Sequence, residues 1–130
     1  MTKKCVLDAS AVLAYLQDES GSEKVEVVLS EGSGIMSAVN YAEVVGKLLE
    51  TGLPESSVNV VMENLDLHIE PLDDKQAWIT GRLRLSTRQL GLSLGDRACL
   101  ALAHIMKLPI ITADKQWDKL KTDITIIRIR

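Results

Sequence analysis

Aromatic side chains are scarce in this 130-residue chain, which has two Trp, two Tyr and no Phe, 3% in all. Its core must be assembled from Leu, Val, Ile and Ala, and base recognition by rows of stacked aromatics is disfavoured. Cysteine is limited to Cys5 and Cys99, with neither CxxC nor Cys/His spacing. That excludes a disulfide scaffold and a zinc site, and both residues read as small buried hydrophobes. Long apolar runs are missing too. The longest stretch free of Asp, Glu, Lys and Arg covers residues 32–42, eleven in number and too short to span a bilayer. Met1-Thr2-Lys3-Lys4 opens like a signal peptide, but Asp8 interrupts the apolar stretch and no small-residue cleavage site follows. The expectation is a cytoplasmic protein with no membrane association.

What is present is globular composition. A hydrophobic fraction of 46% with 25% charged residues suits one α/β-sized domain over residues 1–130. The net charge of −3 hides an asymmetry. Residues 1–65 hold four basic and ten acidic groups, whereas residues 66–130 hold eleven and eight. Between residues 75 and 95 stand Lys75, Arg82, Arg84 and Arg88 with no acid, which is either a solvated helix face or a patch that meets phosphate.

Short apolar strands are expected at residues 5–7, 35–36, 68–70, 110–112 and 124–129. Helices are expected over 10–17, 22–29, from Ser37 to Glu50, from Pro54 to near Leu67, from Asp73 through Leu85, and over 96–106, with 91–95 as loop. The alternation implies an α/β fold with a mostly parallel central sheet and helices on both faces. Trp78 and Trp117 read as packing anchors. Val44, Val45, Leu48 and Leu49 read as core, with a dimer or partner surface as the other reading.

Four acids stand where a folding argument would not place a charge. Asp8 directly follows the first strand, Asp114 follows the strand ending at Thr112, Asp96 opens the most apolar helix, and Glu43 sits in a helix whose apolar residues nearly surround it. Each has a plain alternative: Asp8, Asp96 and Asp114 can cap helices, and Glu43 can pair with a buried Arg or lie on an exposed helix face. Together they form an all-oxygen set suited to Mg²⁺ or Mn²⁺, because converging carboxylates repel unless protonated or bridged. His68 and His104 have no partner at ligand spacing and take core or surface roles.

The segments Val6-Leu7-Asp8-Ala9-Ser10-Ala11, Tyr41-Ala42-Glu43-Val44, Ser93-Leu94-Gly95-Asp96-Arg97-Ala98 and Thr112-Ala113-Asp114 resemble, in order and spacing, the PIN domain. The likeness is closest to the VapC toxins of VapBC toxin–antitoxin modules and covers essentially the whole chain. It implies a PIN-like three-layer fold and a metal-dependent endoribonuclease that cleaves tRNA or rRNA, leaving 5′-phosphate and 3′-hydroxyl ends. Asp8, Glu43, Asp96 and Asp114 would be its acidic quartet, with Ser10 and Thr112 as supporting hydroxyls. Asp8 and Asp96 would bind Mg²⁺ or Mn²⁺ directly, while Glu43 and Asp114 would act through water or a second ion. A VapB-like antitoxin and a homodimer are the partners it implies.

Without the quartet the chain carries 15 basic against 14 acidic groups, so net negative charge does not oppose RNA binding. Arg97 and Lys115, next to two of the acids, are the candidate RNA or antitoxin contacts. Two other readings compete. A non-catalytic interaction protein on the same fold has no need of an intact quartet. A receiver-like phosphotransfer domain needs an acidic pair after the first strand and a Lys after the last core strand, whereas Asp8 is followed by Ala9 and Thr112 by Ala113-Asp114.

Overall fold

A computed structural model describes residues 3–130, so Met1 and Thr2, where the signal-like opening begins, lie outside the described residues. The chain runs β1 (Cys5–Leu7), α1 (Ala9–Leu16), α2 (Ser22–Ser30), β2 (Gly34–Ser37), α3 (Ala38–Glu50), α4 (Glu55–Asn64) and β3 (His68–Glu70). It continues with α5 (Asp74–Ser86), α6 (Leu94–Met106), β4 (Ile110–Thr112) and β5 (Ile126–Arg128). Short 3-10 helices at Arg88–Leu90 and Lys115–Lys119 flank the α6–β4 unit.

All five strands are parallel, in the order β3-β2-β1-β4-β5. Building outward from β1, the chain adds β2 and β3 on one side, then crosses back to add β4 and β5 on the other. A right-handed crossover that reverses direction must change faces. The packing agrees. Residues of α1 to α4 bury against Cys5, Leu7, Met36 and Ile111 on one face. On the other, Val6, Ile35 and Ile110 pack with Cys99, Leu100, Leu102 and Ala103 of α6 and with Trp117. Alternate residues of β1 thus serve opposite layers, which makes the three-layer α/β architecture the sequence implies.

Several expectations need correction at the edges. Helix α4 ends at Asn64, and α6 begins at Leu94, so Leu94 and Gly95 belong to its first turn rather than to a loop. Trp117 is buried, but Trp78 is 67% exposed. The inner face of α5 is formed by Gln76, Ile79 and Thr80, which turns Trp78 outward, where the Arg82 guanidinium lies 5.5 Å from its ring centroid. Val44 and Leu48 are core, whereas Leu49 is exposed. Both cysteines are free and buried. No helix among the described residues is long and apolar enough to cross a membrane.

Candidate active site

Strand order places a crevice where the chain changes direction, between β1 and β4, and in open parallel sheets ligands bind beyond the carboxyl ends of the strands at that point. Asp8 leaves β1 there. Leu7 is in register with Ile111, and the Asp8 N–H donates to the Ile111 carbonyl at 3.2 Å, which sets Asp8 opposite Thr112.

Asp8 is 3% exposed, and both of its carboxylate oxygens accept hydrogen bonds. Its Oδ1 accepts from Ser10 Oγ at 2.7 Å and from the Ala11 N–H at 2.9 Å, which caps α1. Its Oδ2 accepts from Thr112 Oγ1 at 2.5 Å. The two hydroxyls are themselves fixed from behind: the Ala113 N–H donates to Ser10 Oγ at 2.9 Å, and the Asp114 N–H to Thr112 Oγ1 at 3.0 Å. Burial pushes the Asp8 carboxyl up to about 6, the hydroxyls and the Ala11 amide pull it down, and Asp96 raises it further.

Asp96 occupies the first turn of α6 inside a capping box. Its N–H donates to Ser93 Oγ at 3.1 Å, while its Oδ2 accepts from the Ser93 N–H at 3.0 Å. Asp114 likewise caps the 3-10 helix that follows it, with Oδ1 accepting from the Gln116 N–H at 2.9 Å. The capping alternatives for Asp8, Asp96 and Asp114 are therefore real. They do not compete with a site, because helix N-termini in a parallel α/β fold open at the same edge of the sheet as the strand ends.

Glu43 lies on an exposed face of its helix, the second of its two plain alternatives. The buried line of α3 is Asn40, Val44 and Leu48, at spacings of four, and Glu43 stands beside it towards α6. Asn40 holds it in place, donating from Nδ2 to Glu43 Oε1 at 2.9 Å and to the Gly95 carbonyl at 3.0 Å. Asn40 is almost fully buried, and its Oδ1 has no hydrogen-bond partner. Sequence reading missed both Asn40 and Gly95. The available signal was a lone amide three residues before Glu43 on an otherwise apolar helix face.

Cys99, one turn into α6 beyond Asp96, is buried in the field of three of the acids. Burial raises its thiol well above the usual range, and Asp8, Asp96 and Glu43 each raise it further. Asp114 is tied to Asp8 by its backbone alone, its N–H donating to the Thr112 hydroxyl that donates to Asp8. Arg97 points elsewhere: its side chain is buried against α5, with Nη1 donating to the Thr80 carbonyl at 3.0 Å. Lys115 is exposed beside Asp114.

Among the described residues no three His, Cys, Asp or Glu side chains are grouped to hold a metal ion. The donor chemistry nevertheless suits a hard ion that keeps most of its water and is held by one or two carboxylates. Asp8, Asp96 and Asp114 supply carboxylate oxygens, the donor type such an ion takes.

Comparison with known proteins gives the same frame. The VapBC complex of Salmonella typhimurium, solved bound to DNA, matches with a TM-score of 0.75 at 18% identity, covering 99% of this chain and all of that one. A toxin–antitoxin complex from Klebsiella pneumoniae matches at 0.73 and 16% identity, over 98% of each chain. FitAcB from Neisseria gonorrhoeae matches at 0.69 and 20% identity, over 96% of this chain and 97% of that one. No curated protein matches the sequence significantly. The PIN domain family matches residues 5–122, a span that holds all four acids and every strand but the last, and the chain belongs to that family.

Proposed function

We propose that this protein is a divalent-metal-dependent endoribonuclease of the VapC type, the toxin of a toxin–antitoxin module that inhibits translation by cutting tRNA or rRNA. The observation that carries the reading is that the Glu43 carboxylate lies directly against Gly95, the neighbour of Asp96, while Asp8 stands hydrogen-bonded to Thr112 at the sheet edge where a parallel α/β fold binds its ligands. Membership of the PIN domain family and the likeness to solved toxin–antitoxin structures support it.

Asp8 and Asp96 would hold Mg²⁺ or Mn²⁺, with Glu43 and Asp114 acting through water or on a second ion. When bound, the metal neutralises charge on the phosphoryl oxygens and lowers the pKa of water. Ser10 and Thr112 keep Asp8 oriented and ionised by donating to both of its oxygens. Asn40 and Gly95 set the position of Glu43, whose exposed carboxylate is free to orient an attacking water. In-line displacement of the 3′-oxygen would leave 5′-phosphate and 3′-hydroxyl ends. Lys115 stands at the mouth as a phosphate contact.

A VapB-like antitoxin and a second copy of the chain complete the assembly we propose, in the cytoplasm. A non-catalytic interaction protein is the competing account. Asp96→Asn separates the two, since it keeps one capping acceptor on the side chain and should fold. Loss of RNA cleavage with an unchanged melting curve supports a nuclease, and undiminished cleavage removes Asp96 from the site.

A further inference from the structure

Close to Asp96, a groove of about 230 Å³ runs between the C-terminal half of α5, the 3-10 turn at Arg88–Leu90 and the first turn of α6. Its lining includes Arg84, Arg88, Ser93 and Arg97, and no Asp or Glu. Arg97 is the unusual member. It is only 8% exposed, its guanidinium donates to the neutral carbonyl of Thr80, and among the described residues no carboxylate pairs with it. A buried cation without a counter-ion is costly unless an anion arrives to match it. Arg84 and Arg88 are exposed along the same groove, at the centre of the acid-free stretch of residues 75–95.

Position identifies the anion. Ser93, in the wall of the groove, is bonded in both directions to Asp96. The groove therefore opens directly beside a proposed metal-binding carboxylate. We infer that it seats a backbone phosphate of the RNA strand adjoining the scissile bond, with Arg84 and Arg88 gripping it from the rim and Arg97 from the floor. This rests on the ribonuclease reading and assigns that site its substrate track. Bidentate guanidinium donors suit a phosphodiester, and contacts of this kind position the strand without reading its bases.

The test uses the full chain carrying Asp8→Asn, so that RNA survives, and a fluorescein-labelled single-stranded RNA oligonucleotide followed by anisotropy over a KCl series. Arg84→Ala/Arg88→Ala is compared with Lys4→Ala/Lys24→Ala, which removes two charges from exposed positions on β1's amino side and on α2. All four positions are exposed, so melting curves should not change. The arginine pair should lower affinity on the order of tenfold and flatten the log–log salt slope by about 0.7, the value for one lost phosphate on a single strand. The lysine pair should change neither. Equal loss in both variants would reduce the effect to general charge and overturn the assignment. Unchanged RNA binding with weakened binding of an acidic peptide would give the groove to a protein partner instead. If the arginine variant binds RNA normally while the native chain cleaves it, the groove fails and the ribonuclease reading stands. Absence of both binding and cleavage in the native chain would overturn the two together.

Discussion

The Glu43 carboxylate lies so close over Gly95 that a Cβ at that position would come within 2.3 Å of Glu43 Oε1 and 2.6 Å of Cδ. Close approach, rather than backbone conformation, is what a glycine supplies here, since Gly95 lies in the first turn of α6. The atom displaced by a methyl group would be the end of a flexible side chain, so the cost falls on position and not on folding. Gly95→Ala should leave stability within about 1 kcal/mol, helped by alanine's better helix propensity. Activity should drop on the order of tenfold as Glu43 is pushed aside. Paired melting curves and cleavage rates check this, and a variant as active as the native chain would remove Glu43 from the mechanism.

Asp8 makes stability depend on pH in a definite direction. Its carboxyl, at about 6 in the folded chain against an ordinary 3.8, binds its proton more tightly when folded. The stability it contributes is therefore complete below about pH 4 and lost as pH rises through 6. At about 1.4 kcal/mol per pH unit, the loss is on the order of 3 kcal/mol. In buffer containing EDTA, Asp8→Asn should flatten this part of the profile and melt higher than the native chain at pH 7. Urea titrations at a series of pH values would show it.

Thr112 joins two of the acids, donating to Asp8 and accepting from the Asp114 amide. Thr112→Val keeps the shape and leaves both partners unsatisfied, which should cost about 1–3 kcal/mol. It should also shift the Asp8-dependent part of the pH profile upward, because the largest of the hydrogen-bond effects holding that carboxyl down is Thr112's. A simple cavity effect would lower stability equally at every pH, so the shape of the profile is the discriminating readout.

Metal binding should be visible without any RNA. A ligand that binds the folded chain alone stabilises it by mass action, about 2.7 kcal/mol at a hundred times its Kd. Mg²⁺ or Mn²⁺ should raise the melting temperature of the native chain, and Asp8→Asn or Asp96→Asn should abolish the rise. An equal rise in the variants would place the ion elsewhere.

How much of this was legible in the sequence follows from what kind of contact each feature needs. Asp8 and Asp114 could be placed because each comes directly after an apolar strand, and chain direction alone then puts them at one sheet edge. Ser37 and Asp73 announced their helices by local capping chemistry. What escaped was set by packing between distant segments. The role of Asn40 and the requirement for Gly95 both arise where α3 meets α6, some fifty residues apart in sequence. Trp78 misled for a similar reason. A large aromatic reads as core, but the inner face of α5 holds Gln76 and Thr80, whose polar groups bond to the Pro71 and Gln76 carbonyls, and the indole was left outside.

The central claim, that this fold edge cuts RNA with a divalent ion, is tested most directly by incubating the purified chain with a pool of total tRNA and rRNA. Parallel reactions would contain Mg²⁺, Mn²⁺ or excess EDTA, with Asp8→Ala as control. Discrete cuts bearing 5′-phosphates, present with either metal and absent both from EDTA and from the variant, are the predicted result. An intact pool from a preparation shown to hold no second chain, or cleavage that persists in Asp8→Ala, would contradict it.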